Sequence, residues 1–179
     1  LLIANFPLPQ WDTWMSHLLG KDWATMMSVP ASASFDVMTI LAVVGIAYSL
    51  GKQFNVDAMQ AGIIALVSFF IVTPYQTLFT PENSSKVYEV TSLPLKWMGS
   101  SGLFLGMIVA LIATRLFVAI VRKGWTIKMP EGVPPTVVKS FEALIPSFLV
   151  VTLMFLVNWL AALTPYGNLQ DVIFEFLQT

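Results

Sequence analysis

Few residues in this sequence could do chemistry, and they are scattered. Arg115 is the one charge well inside a long apolar run, LFLGMIVALIATRLFVAIV at 103–121. An ionisable group at that depth is by default a candidate contact for a substrate or partner. It also shares a helical face with Arg122, two turns on, so its side chain can snorkel to the interface or join a structural ion pair. His17 is the only histidine, and imidazole suits proton transfer near neutral pH. Its nearest carboxylate upstream is Asp12, five residues back and off its helical face, and catalysis would need an oriented partner, so His17 reads as a surface residue.

The remaining polar candidates are weaker. Asn83-Ser84-Ser85 fits the glycosylation sequon, a pattern short enough to arise by chance. Tyr75, Tyr88, Asn158 and Tyr166 offer groups of the kind that bind sugars, but interfacial aromatics and one interhelical hydrogen bond explain them better. With no cysteine and one histidine, disulfides, thiolate sites and multi-histidine metal sites are excluded. There is no phosphate-cradling glycine loop, nucleophile elbow or intramembrane carboxylate pair. No catalytic, substrate-binding or metal residue and no cofactor is therefore assigned.

The elements that would position such residues are those of a membrane protein. The 179 residues are 56% apolar and 11% charged, whereas soluble domains carry about 25% charge. A net charge of −1 without a basic cluster excludes a nucleic-acid partner. Four apolar segments predict spans at 35–50, 58–79, 101–121 and 143–163, each near the roughly 20 residues a helical crossing takes. Residues 1–8 read as the tail of a preceding span, and 9–34 as an outer interfacial segment in which Trp11, Trp14, Met15 and Leu18 share one helical face. The expected fold class is all-α: a polytopic transmembrane bundle of about four spans plus the stub of a fifth at the amino terminus. Ser34 is expected to cap the 35–50 helix with Asp36 in its first turn, and Asp57 with Gln60 to form a capping box for the next.

Orientation follows from the basic residues. With the segment after the third span inside, Lys52, Arg122, Lys123, Lys128 and Lys139 are cytoplasmic and Lys21, Lys86 and Lys96 outside, as the positive-inside rule asks. Trp11, Trp14, Trp23 and Trp97 then fall at the outer interface. Gly102, Gly106 and Ala110 recur every fourth residue, and Ala58 and Gly62 do the same. Small residues let helices approach closely in lipid, so these faces predict tight packing or a dimer seam. Pro130, Pro134 and Pro135 break the chain over 122–142 into a hinge followed by an amphipathic helix starting near Val137, and Pro146 is expected to kink the entry to the last span.

That hinge, VRKGWTIKMPEGVPPTVVKSFEALIP at 121–146, resembles the matching segment of the enzyme IIC sugar permeases of the bacterial phosphoenolpyruvate-dependent phosphotransferase system, in the lactose, cellobiose and diacetylchitobiose group. The resemblance rests on Trp125, Lys128, Pro130, Glu131, Val133, Pro134, Ser140, Phe141, Leu144, Ile145 and Pro146. It extends upstream through DAMQAGIIALVSFFIVTPY at 57–75 and NFPLP at 5–9, and covers nearly the whole chain. It implies a multi-pass protein of the bacterial cytoplasmic membrane that imports a disaccharide coupled to its phosphorylation by the enzyme IIB phosphocarrier. It implies also that residues 1–179 are the scaffold and homodimerisation half, the sugar site lying in a second half absent from this sequence. No catalytic position of the family maps onto these residues, so participation in an enzymatic step stays open here. The rival reading is a self-contained small structural or interaction membrane protein.

Overall fold

The computed structural model describes residues 6–80, 86–130, 132–164, 169 and 173. The order of elements is α1 (Trp11–Leu19), α2 (Trp23–Phe35), α3 (Met38–Gln53), α4 (Ala58–Val72), β1 (Gln76–Phe79), β2 (Tyr88–Thr91), α5 (Leu95–Met98), a 3₁₀ turn (Ser100–Gly102), α6 (Leu103–Arg122), α7 (Pro135–Glu142) and α8 (Leu144–Ala162). Among the described residues three stretches are long and apolar enough to cross a membrane: Trp23–Gln53, Ser100–Arg122 and Val137–Ala162. Ala58–Val72 is a shorter apolar helix.

The core lies where α3, α4 and α6 meet, with α8 laid against α4 and α6. Val43 and Ala47 of α3, Ala65 and Phe69 of α4, Val109, Ala110 and Ala113 of α6, and Val150 of α8 are sealed within it. Outward faces are apolar too: Phe148, Phe155 and Trp159 of α8 are each more than half exposed, as expected of a helix solvated by lipid.

Several boundaries differ from expectation. Ser34 caps nothing. It sits inside α2 and donates its hydroxyl to Pro30 O at 3.0 Å, while Asp36 closes α2 and Val37 opens α3 without a side-chain cap. Helix thus begins at Trp23 and not at Phe35, and it runs through Pro30, which withdraws only one N–H. The helix expected over 58–79 ends at Val72. Pro74 has no N–H to give Phe70 O, which accepts from Thr73 N at 3.2 Å instead. Thr73 is extended (φ −87°, ψ 132°), the conformation that a following proline favours.

Beyond this stop the chain forms an antiparallel hairpin, β1 against β2, pairing Gln76 with Thr91 and Phe79 with Tyr88. The fold is therefore predominantly helical and not all-α. Alternation in Tyr88-Glu89-Val90-Thr91 favours a strand, and the Thr77 and Ser92 hydroxyls lie 2.7 Å apart across its base. Of the expected stub at 1–8, residues 1–5 lie outside the described residues, as do the sequon at 83–85, Glu131 and Tyr166.

Candidate functional site

Polar side chains converge where the α3–α4 turn, the end of α6 and α7 come together. Asp57 organises this corner. Its Oδ1 accepts from Gln60 N at 3.0 Å and caps α4, the Asp57 half of the expected capping box; no return bond from the Gln60 side chain is seen among the described residues. Its Oδ2 lies 3.9 Å from Lys139 Nζ on α7. Behind the pair is a cavity lined by Phe117, Val121, Thr126, Glu142 and Ala143. The hinge is thereby tied to the amino terminus of α4 by one carboxylate with two duties.

Those duties separate by substitution. Asp57→Ala is expected to cost about 1 kcal/mol for the lost cap. Asp57→Asn, whose amide oxygen still caps, should stay within about 0.5 kcal/mol of the parent, because a pair with Lys139 65% exposed is worth little in water. Thermal unfolding in detergent reads the difference. Equal losses in the two variants would assign the effect to the ion pair and contradict the capping account.

A second cluster flanks this corner. Phe54 ends α3, and its ring carries two guanidinium groups: Arg115 Cζ at 5.1 Å and Arg122 Cζ at 5.4 Å from the centroid. Arg122 Nη2 also donates to Phe54 O at 3.4 Å. Arg115 is therefore exposed and drawn along α6 toward its carboxyl-terminal end. Among the described residues its partner is an aromatic face and not a carboxylate. Similar contacts recur nearby, with Lys52 Nζ 4.7 Å over Tyr48 and Lys123 Nζ 5.6 Å over Trp125.

The hinge residues singled out by sequence are largely displayed. Trp125, Lys128, Pro130, Pro134, Ser140, Phe141, Leu144 and Ile145 are exposed, Val133 is half-buried and Pro146 is buried in the first turn of α8. Helix α7 begins at Pro135, two residues earlier than Val137, and is separated from α8 by one turn residue, Ala143. Pro146 thus sits just inside the new helix, where its missing N–H costs least.

The small residues have unequal roles. A Cβ on Gly106 would meet Thr39 Cγ2 at 2.6 Å and Val43 Cγ2 at 2.9 Å, so α3 and α6 touch there nearly backbone to side chain. Ala110, one turn on, is sealed in the same seam. At Gly102 the obstacle is local: a Cβ would collide with the carbonyl of Trp97 in the preceding turn. Gly62 has ordinary clearance from Val44, and Ala58 is half-buried. The closest counterpart of Gly106 is Gly51, whose Cβ would lie 2.8 Å from Ala58 Cα; pattern reading passed over it because its partner lies across a turn and not four residues along one helix. All these contacts are within the chain, so the α6 seam is not free to pair with a second copy.

Two other polar side chains fasten the bundle. Thr39 Oγ1 donates to Gly99 O at 2.5 Å, and Asn158 Nδ2 of α8 donates to Ile71 O of α4 at 2.9 Å. Asn158 is thereby an interhelical tie, while Tyr75 and Tyr88 are exposed and dispersed. His17 is exposed, as the sequence reading expects, on an open apolar hollow formed with Trp11, Trp14, Met15 and Leu18. No group of three metal-ligating side chains occurs among the described residues.

Comparison with known proteins covers the whole chain. The family model described as "Phosphotransferase system, EIIC" matches residues 1–179. The lichenan permease IIC component of Bacillus subtilis (strain 168) is 39% identical over 180 residues, taking in 100% of this chain and 40% of that protein. The cellobiose-specific EIIC component of Geobacillus stearothermophilus is 36% identical over 174 residues, 97% of this chain and 39% of its own length. The crystal structure of the transporter ChbC, the IIC component of the N,N'-diacetylchitobiose-specific phosphotransferase system, superposes with a TM-score of 0.93 at 39% identity. That match covers 99% of this chain and 41% of the transporter. The chain spans about 40% of the length of these two permease components.

Proposed function

The chain belongs to the phosphotransferase system EIIC family, and on that premise we propose that it is the membrane scaffold of a permease that imports a disaccharide of the cellobiose, diacetylchitobiose or lactose class. In this reading four helical crossings form a stationary bundle in the bacterial plasma membrane. A sugar-carrying part of the same permease moves against it, and enzyme IIB docks on the side displaying the 122–142 hinge and supplies the phosphoryl group. Homodimerisation uses the outward apolar faces of the bundle, because the α6 small-residue seam is occupied internally.

One observation carries the scaffold assignment: the interior is close-packed and almost wholly apolar. Buried polar residues among those described are Thr39, Ser68, Thr73 and Thr114. Thr39 and Thr73 give their hydroxyls to Gly99 O and Phe69 O, while those of Ser68 and Thr114 make no hydrogen bond among the described residues. A sugar site needs several convergent polar groups in a cleft, and a rigid, close-packed body is what a sliding partner requires. No observation favours the alternative of a self-contained structural membrane protein.

Sugar selectivity is expected to reside outside these residues. Residues 1–179 grafted in place of the corresponding segment of a lactose-selective relative should leave uptake and phosphorylation of radiolabelled lactose and cellobiose in the recipient's ratio. A switch toward the donor's preference would assign sugar recognition to this chain and end the scaffold reading.

A further inference from the structure

The outward stripe of α6 runs through Phe104, Leu111, Ile112, Arg115, Ala119 and Arg122, all exposed. Leu111 and Ile112 lie one turn before Arg115, so this arginine emerges from an exposed apolar surface and not from a polar cleft. Both Arg115 and Arg122 bend onto the ring of Phe54. Like charges gathered on one neutral ring at an apolar boundary are unfavourable without an anion. The one ion pair seen among the described residues joins Asp57 and Lys139, and neither arginine takes part. Each guanidinium has five N–H donors. Among the described residues the one hydrogen bond from either is that of Arg122 Nη2 to Phe54 O.

We propose that Arg115, Arg122 and Phe54 form a seat for the phosphate of an anionic phospholipid headgroup. Planar guanidinium forks suit phosphate oxygens in paired hydrogen bonds, and the ring holds both forks in place before the ligand arrives. The site lies at the end of a membrane-crossing helix, where lipid phosphates reside and long cationic side chains reach them. Lys52 and Lys123 flank it in sequence and add positive potential, which favours a net-negative headgroup over a zwitterionic one, whose ammonium would be repelled. The inference rests on the chain crossing a membrane and is independent of the sugar carried.

The test uses the full-length permease containing this chain, in nanodiscs of phosphatidylcholine alone or with phosphatidylglycerol or cardiolipin, and native mass spectrometry of retained lipid. The parent should retain anionic lipid preferentially. Arg115→Gln with Arg122→Gln should weaken retention at least about tenfold, since hydrogen bonds between charged groups are being removed. Arg115→Lys with Arg122→Lys should fall between, and Phe54→Leu should weaken retention with both charges intact. Size-exclusion profiles matching the parent establish that these surface variants fold. Unchanged lipid preference in the double glutamine variant would overturn the proposal. So would equal occupancy by inorganic phosphate added to phosphatidylcholine nanodiscs, or a full-length parent that retains no anionic lipid because other parts of the permease cover the arginines.

Discussion

Gly106→Val is expected to destabilise the bundle by about 3 kcal/mol or more, the upper part of the range for forcing extra methyl groups into a packed interior. The first added carbon already falls 2.6 Å from Thr39 Cγ2 and 2.9 Å from Val43 Cγ2, and both side chains are fully buried with nowhere to turn. For a chain of this length, each kcal/mol moves the melting midpoint by about 2–4 °C where unfolding is two-state. Fluorescence-detected size exclusion of heated, detergent-solubilised protein measures the shift. Gly45 provides the control, since a Cβ there meets nothing within 4 Å. Gly45→Ala should be neutral or slightly stabilising because alanine is the better helix former. The clash is also specific: Thr39→Ser removes the offending methyl but keeps the hydroxyl that donates to Gly99 O. Combined with Val43→Ala it should restore much of what Gly106→Ala loses. Failure of that rescue would show that the seam is not where the strain arises.

Phe69→Ala is the second large effect, expected at about 3–5 kcal/mol by analogy with buried phenylalanines elsewhere. Phe69 is fully buried, packs toward the Gly106 seam and touches Phe70 at a centroid distance of 6.1 Å. In lipid the loss is one of dispersion contacts around a cavity more than of water transfer. Phe69→Leu should accordingly recover most of it. The same heated-sample assay decides: a midpoint for Phe69→Ala within about 2 °C of the parent, below the shift that 1 kcal/mol produces, would mean that α4 is not clamped between α3 and α6.

Long helices were legible in the sequence because hydropathy and length are local properties. α6 occupies Leu103–Arg122 and α8 Leu144–Ala162, close to the segments expected from residues 101–121 and 143–163. The Asp57 cap was legible for the same reason, as three-residue spacing fixes its geometry. What escaped depends on contacts distant in sequence. Pro30 invites a helix boundary, and Ser34 beside Phe35 looks like a cap, yet α2 continues through both. Pro74 falls within the apolar run 58–79, yet the helix stops just before it. The GxxxGxxxA run drew attention to Gly102 and Gly106 together, whereas the first is held by its own preceding turn and the second by α3. At the polar corner, the partnership of Arg115 and Arg122 through Phe54 could not be foreseen, because Phe54 is brought to them only by the α3–α4 turn.

Asn158 acquires a different meaning from the shortness of α4. Fifteen residues rise about 22 Å, less than the roughly 30 Å of hydrocarbon in a typical bilayer. A crossing built on α4 alone would leave helix before the full hydrocarbon depth is spanned, where backbone carbonyls need partners from the chain itself. Thr73 closes back on Phe69 O, and Asn158 reaches across from α8 to Ile71 O. Between them they plug the end of a helix too short for its bilayer, so that α8 acts there as an insulating wall, and an asparagine suited to gripping sugar serves to keep bare backbone out of oil.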